Sequence, residues 1–205
     1  MESSQQRQDE QQIERLVASV QQGHTGQYAD LVRIFQQPIF RYCYRLLTDK
    51  QDAEDAVQDI LVKAYQSLHQ YKRAENFSAW LYRIAHRHCL NLLRRRRLHQ
   101  QVMRFMRLEL ITPGPEAELG SELFNHNPAL AAALALLSSE ERSLLILRVF
   151  EEKSYEELSD IMQARPNALI KRMQRIKQKV QQVMRAEEGT VKWSEPNHLP
   201  MNSEI

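Results

Sequence analysis

Apolar side chains recur along this chain at intervals of three and four, the spacing of one helix face. Ile13, Leu16, Val17 and Val20 set a first stripe that stops at Gly23 and Gly26. A second runs from Tyr28 to Leu47, with Leu31, Ile34, Phe35, Ile39, Tyr42, Cys43 and Leu46 on one side. Pro38 falls inside it, where a missing N–H predicts a kink or a break. A third carries Val57, Ile60, Leu61, Ala64, Tyr65 and Leu68. Asp52 stands in its N-cap position, and the acids after it suit the helix dipole. Residues 69–76, HQYKRAEN, read as a polar loop. Ser78 is placed to cap the next helix, which carries Trp80, Leu81, Ile84, Ala85, Leu90 and Leu93 before Arg94.

Helical spacing returns beyond residue 128. Ala129 to Leu137 is a short apolar pattern. Ser138 or Ser139 is placed to cap Glu140 to Phe150, and Ser154 to cap Tyr155 to Met162. Pro166, tolerated in a first turn, opens a helix with the stripe Leu169, Met173, Ile176, Val180 and Val183. The last two helices, joined by about three residues, have the size of a helix-turn-helix.

Composition agrees with an all-α protein. Of 205 residues, 42% are apolar, enough to bury a core, while only 5 Gly and 7 Pro argue against a turn-rich β protein. Segment 109–128 differs from its flanks: it holds Pro113, Gly114, Pro115, Gly120 and Pro128, with Glu109, Glu116, Glu118 and Glu122 and no Lys or Arg. It reads as an acidic flexible linker between two small helical domains, 10–108 and 129–185. Residues 1–9 read as a disordered polar N-terminus, and 186–205 as a tail of unassigned role. Each domain is marginal at this size, so a partner surface is expected to help hold both.

The net charge of +2 conceals an uneven distribution. Residues 49–59 carry a net of −4, residues 72–97 a net of +7, and residues 165–185 hold seven bases and no acid. Two basic stretches suggest a polyanion held at two places. In FSAWLYRIAHRHCLNLLRRRR, residues 77–97, rings lie close to cations, the composition that grips unpaired nucleic acid. At helical spacing, however, Trp80, Leu81 and Ile84 read first as core, and Arg94–Arg97 suit a helix end. On the acidic-headed helix, Asp55, Gln58, Asp59 and Val62 share a face that can dock a basic partner helix, or that simply keeps the chain soluble. On the last helix the outward candidates for DNA are Arg165, Asn167, Ala168, Lys171, Arg172 and Arg175.

Enzyme chemistry is poorly served. There is no Gly-rich phosphate loop, no CxxC pair and no HExxH, so no catalytic residue, cofactor or metal is expected. His86, His88 and Cys89 crowd together, but i,i+2 spacing puts the two histidines on different helix faces. Cys43 and Cys89 read as small buried hydrophobes. MESSQQRQDEQQ lacks the apolar core of a secretory signal, so the cytoplasm is the expected compartment. A stand-alone helix-turn-helix regulator and an RNA-binding protein both fit some of these features. The stand-alone regulator leaves the acidic helix and the ring-and-cation segment without a role.

Two segments carry a resemblance. DAEDAVQDILVKAYQSLHQYKRAENFSAWLYRIAHRHCLNLLRRRR resembles region 2 of the extracytoplasmic-function group of bacterial sigma factors, in the sigma-70 family. LLSSEERSLLILRVFEEKSYEELSDIMQARPNALIKRMQRIKQKV is similar to region 4 of the same group. The resemblance implies a dissociable, non-enzymatic initiation subunit that binds core RNA polymerase, through its β′ clamp helices and its β subunit, and directs it to promoter DNA. Asp55, Gln58, Asp59 and Val62 would meet the clamp helices. Lys72, Arg73, Asn76, Phe77 and Ser78, with Arg83, His86 and Arg87 behind them, would recognise and open the −10 element. The helix opened by Pro166 would enter the −35 major groove. An anti-sigma partner, often membrane-anchored, is also implied. The chain departs from the family at Arg87, often Asn, at Gln163, usually Gly, and at Asn167-Ala168 and Ile170-Lys171 in the recognition helix, so no −35 preference carries over.

Overall fold

A computed structural model describes residues 2–72, 76–105 and 133–188. Those residues form seven main helices: α1 (Glu2–Gln21), α2 (Tyr28–Leu47), α3 (Lys50–Ser67), α4 (Phe77–Phe105), α5 (Ser139–Val149), α6 (Tyr155–Met162) and α7 (Pro166–Glu188). No strand occurs among the described residues, as an all-α fold requires. The expected linker, the start of the 129–137 pattern and the tail beyond Glu188 lie outside the described residues, as does Arg73.

Packing of the first four helices follows the apolar stripes. Leu31, Phe35, Ile39, Tyr42, Cys43 and Leu46 of α2 are buried against Ala53, Val57, Ile60 and Ala64 of α3 and Leu81, Ala85 and Cys89 of α4. Pro38 neither breaks nor ends α2, which runs helical through it. The helix loses one backbone donor there, while Phe35 and Ile39 on either side are anchored in the core. Cys89 Sγ donates to Cys43 Sγ at 3.6 Å in that core, and both thiols are reduced and buried.

Helix ends differ from the sequence reading in two places. Asp49, not Asp52, caps α3: its carboxylate accepts from the Asp52 N–H. Asp52 instead pairs with Arg96 of α4. Asn76, not Ser78, caps α4, its Oδ1 accepting from the Ala79 N–H at 3.1 Å. In both cases an earlier polar residue takes the cap: Asp49, in extended conformation three residues before Asp52, and Asn76, two before Ser78. Ser138 and Ser154 each form a full capping box, with Glu141 and Glu157 reaching back to the cap N–H.

Helices α6 and α7 form the expected helix-turn-helix. Leu158 and Ile161 of α6 bury against Leu169, Met173 and Ile176 of α7, with Leu144 and Leu147 of α5 beneath them. The turn is made by Gln163, whose backbone is left-handed at φ 54° and ψ 44°. A side chain in that region costs about 1 kcal/mol or more, which glycine avoids. Gln163→Gly is therefore expected to stabilise the chain by about 0.5–1 kcal/mol, after allowance for glycine's greater unfolded-state freedom. Scanning calorimetry should show a rise of a few degrees; a fall would mean that the Gln163 amide bond to the Asp160 carbonyl, 2.8 Å, matters more than the backbone.

Partner surface for the two marginal halves comes from within the chain. α5 packs on α2, and α6 packs on α4, so one apolar core runs through both halves. At the seam, Ser143 Oγ lies 2.8 Å from Tyr42 Oη and 2.8 Å from His86 Nδ1. Arg97 donates to Ser139 Oγ at 2.7 Å. Tyr42, Ser143 and His86 are buried yet hydrogen-bonded to one another, which fixes how the halves sit.

Candidate polymerase and promoter interfaces

Three surfaces carry the candidate residues. On α3, the residues facing the core (Ala53, Val57, Ile60, Ala64) leave Asp55, Gln58, Asp59 and Val62 turned outward. Val62 is 54% exposed, and Tyr65 one turn on is 43% exposed. Asp59 Oδ2 lies 3.9 Å from Lys63 Nζ and 3.8 Å from His88 Nε2, so its charge is only partly answered within the chain. Lys63 donates to His88 Nδ1 at 2.6 Å. Burial, and then the Lys63 ammonium, hold His88 below its ordinary pKa. The face mixes acid, amide and aliphatic groups, suited to a basic helix with an apolar stripe.

Residues before and along α4 divide into outward and inward sets. Lys72 and Arg87 are exposed; Asn76, Ser78 and Arg83 are half-buried. Phe77 is 2% exposed, packed edge-on against Phe35 and Tyr71 and beside Trp80. Its ring is held in the core, which corrects the expectation that it offers a surface to a base. His86 is 6% exposed and turned toward Tyr42 and Ser143. Burial, with Arg87 adding to it against the pull of Glu140, lowers its pKa from 6.5 to about 4. It is neutral at pH 7 and, with the halves packed together, does not reach a surface where DNA could meet it. Trp80 and Leu81 are buried, as helical spacing led one to expect. His86, His88 and Cys89 point to three different sets of partners rather than to a shared centre.

Two residues that position this loop were not evident in the sequence. Glu14 of α1 accepts from the Tyr71 hydroxyl at 2.6 Å. Gln21 of α1 donates to the carbonyls of Leu68 and Tyr71 at 2.8 and 3.0 Å. They lie 57 and about 50 residues from their partners, so no local pattern reports them. α1 thereby pins the start of the loop against the bundle.

On α7, burial of Leu169, Met173 and Ile176 turns Arg165, Asn167, Ala168, Lys171 and Arg175 to solvent. Arg172 is half-buried and donates to Glu140 Oε2 at 3.2 Å. Arg165 and the first three turns of α7 thus present an amide, a methyl and several cations, the set that reads base edges and holds phosphates in a major groove.

Comparison with known proteins identifies the two regions. Residues 31–99 match sigma-70 region 2, and residues 128–180 match sigma-70 region 4. The ECF RNA polymerase sigma factor SigW of Bacillus subtilis (strain 168) is 27% identical over 164 residues, covering 75% of this chain and 86% of SigW. The sigma factor YlaC of the same organism is 32% identical over 143 residues, 68% of this chain and 81% of YlaC. The sigma-H factor of Pseudomonas aeruginosa is 30% identical over 165 residues, 75% of this chain and 84% of that protein. Among solved structures, CnrH in complex with the cytosolic domain of CnrY superposes with a TM-score of 0.63 at 20% identity, covering 85% of this chain and 97% of that one. RpoE of Bartonella quintana, in complex with the anti-sigma factor NepR, gives 0.60 at 21% identity, covering 78% and 98%.

The chain belongs to the sigma-70 family, the promoter-directing subunits of RNA polymerase. Within that family it is an extracytoplasmic-function sigma factor, built from regions 2 and 4. Among the described residues no helix is long and apolar enough to cross a membrane.

Proposed function

We propose that the chain seats on core RNA polymerase through the outward face of α3, with Asp55, Gln58, Asp59 and Val62 meeting the β′ clamp helices. Region 4 takes a second contact on the β subunit. The loop that ends at Asn76, with Ser78, Arg83 and Arg87 behind it, recognises the −10 element and captures its non-template strand. α7 enters the major groove of the −35 element. The observation that carries this reading is the outward placement of two separate candidate faces, α3 and α7, on one chain whose two regions match in order. NepR is an anti-sigma factor bound to a relative of similar fold, and a protein of that class is the proposed restraint here.

Run-off transcription with core polymerase on a promoter library, with and without the chain, tests the proposal. New start sites that depend on the chain support it; none would overturn it. Arg172→Ala tests the −35 face. If Arg172 leaves Glu140 to hold a phosphate, duplex affinity falls and the slope of log affinity against log salt drops by about one unit. An unchanged slope removes Arg172 from the phosphate contacts.

A further inference from the structure

Glu151 is the unusual residue at the seam. It lies in the loop between α5 and α6, yet its side chain is only 5% exposed. Its Oε1 accepts from Arg45 Nη1 at 2.8 Å, and its Oε2 accepts from the Tyr82 hydroxyl at 2.7 Å. The donors belong to region 2 and the carboxylate to region 4. Lys153, two residues on, donates to Ser78 Oγ at 2.9 Å and sits 4.9 Å from the Tyr82 ring centre. Phe150, just before, lies under the Arg45 guanidinium at 4.7 Å. Ser78 and Tyr82 are one turn apart on α4, so loop 150–154 covers the end of α4 where the −10 element is proposed to bind.

A guanidinium and a phenol hydroxyl converging on one buried anion form a site shaped for two oxygens of a carboxylate or a phosphodiester. Arg41, a turn before Arg45, is near enough to act on the Tyr82 phenol. We propose that Arg45 and Tyr82 are a phosphate-binding site of region 2 for the promoter strand, and that Glu151 fills it in the isolated chain. Region 4 and single-stranded DNA then compete for one site. The chain masks its own DNA-binding face until the two regions are drawn apart. The proposal rests on the assignment of the α4 end to the −10 element only for which strand is bound; the competition itself concerns a phosphate and no particular base.

The test is binding of fluorescein-labelled single-stranded DNA by the full chain without polymerase, with X-ray scattering on the same samples. Glu151→Gln keeps the shape of the side chain and removes its charge. It should enlarge the radius of gyration and raise affinity about tenfold, the gain expected when a state nine-tenths masked becomes available. Tyr82→Phe removes one of the two donors and should loosen the seam by a second route. Adding Arg45→Ala to Glu151→Gln should keep the chain open and abolish the gain. Affinity in Glu151→Gln equal to that of the unaltered chain would overturn the masking, and a double variant that binds as well as Glu151→Gln would overturn the phosphate site. A gain equal for −10-like and scrambled strands, joined to absent run-off transcription, would sink the promoter assignment while leaving the phosphate site standing.

Discussion

Lowering the pH from 6.5 to 4 should remove about 3 kcal/mol of stability through His86 alone. Its pKa is about 4 in the folded chain and 6.5 when unfolded. Between those values the unfolded chain binds the extra proton and the folded chain does not, so stability falls as the solution is acidified. The contribution is complete above 6.5 and gone below 4. The cause lies at the seam between the regions, where burial disfavours the imidazolium. Tyr42 and Ser143 are the hydrogen-bond partners there, Arg87 adds to the depression, and Glu140 opposes it. His88 adds a smaller effect of the same sign. Urea unfolding at a series of pH values gives the curve; subtracting that of His86→Asn isolates the residue. A difference curve flat across this window would mean that the imidazole is solvated and the seam open.

Asp59→Lys should weaken binding to core polymerase by about a hundredfold, since like charges facing each other across an interface cost several kcal/mol. Asp59 is 67% exposed, so the fold should tolerate the change. The new cation would sit beside Lys63, four residues on, and repulsion at that spacing amounts to a few tenths of a kcal/mol. Competition against a labelled sigma factor for core polymerase, alongside a thermal melt, separates docking from folding. Unchanged competition would remove Asp59 from the docking face, and a large fall in melting temperature would show a structural role instead.

What the sequence made legible was what repeats locally. The stripes of α2, α3 and α7 reported their buried faces, apart from Ile34 and Tyr65, which are exposed; Ser154 reported one helix start to the residue, and Ser138 or Ser139 another to within one. Caps became ambiguous where candidates were plentiful, as at Asp49 and Asp52. Inward and outward roles near the −10 loop were hardest to separate. Phe77 and His86 stand beside basic residues in sequence, but their directions are fixed by Phe35, Tyr42 and Ser143 from other helices. The packing of region 4 on region 2 left no local trace: Ser143 is 57 residues from His86 and 101 from Tyr42. Glu151 likewise reads as one acid in a charged loop until its two donors are placed around it.

Cys43 and Cys89 are the chain's two cysteines, and each is 0% exposed. Their mutual hydrogen bond and their burial push the Cys43 thiol well above its ordinary range, so little reactive thiolate forms at neutral pH. A cysteine introduced anywhere on the outside of this protein would thus be the group that a maleimide dye finds. Paired labels on α3 and α7 can follow the separation of the two regions in native material, with neither original sulfur replaced.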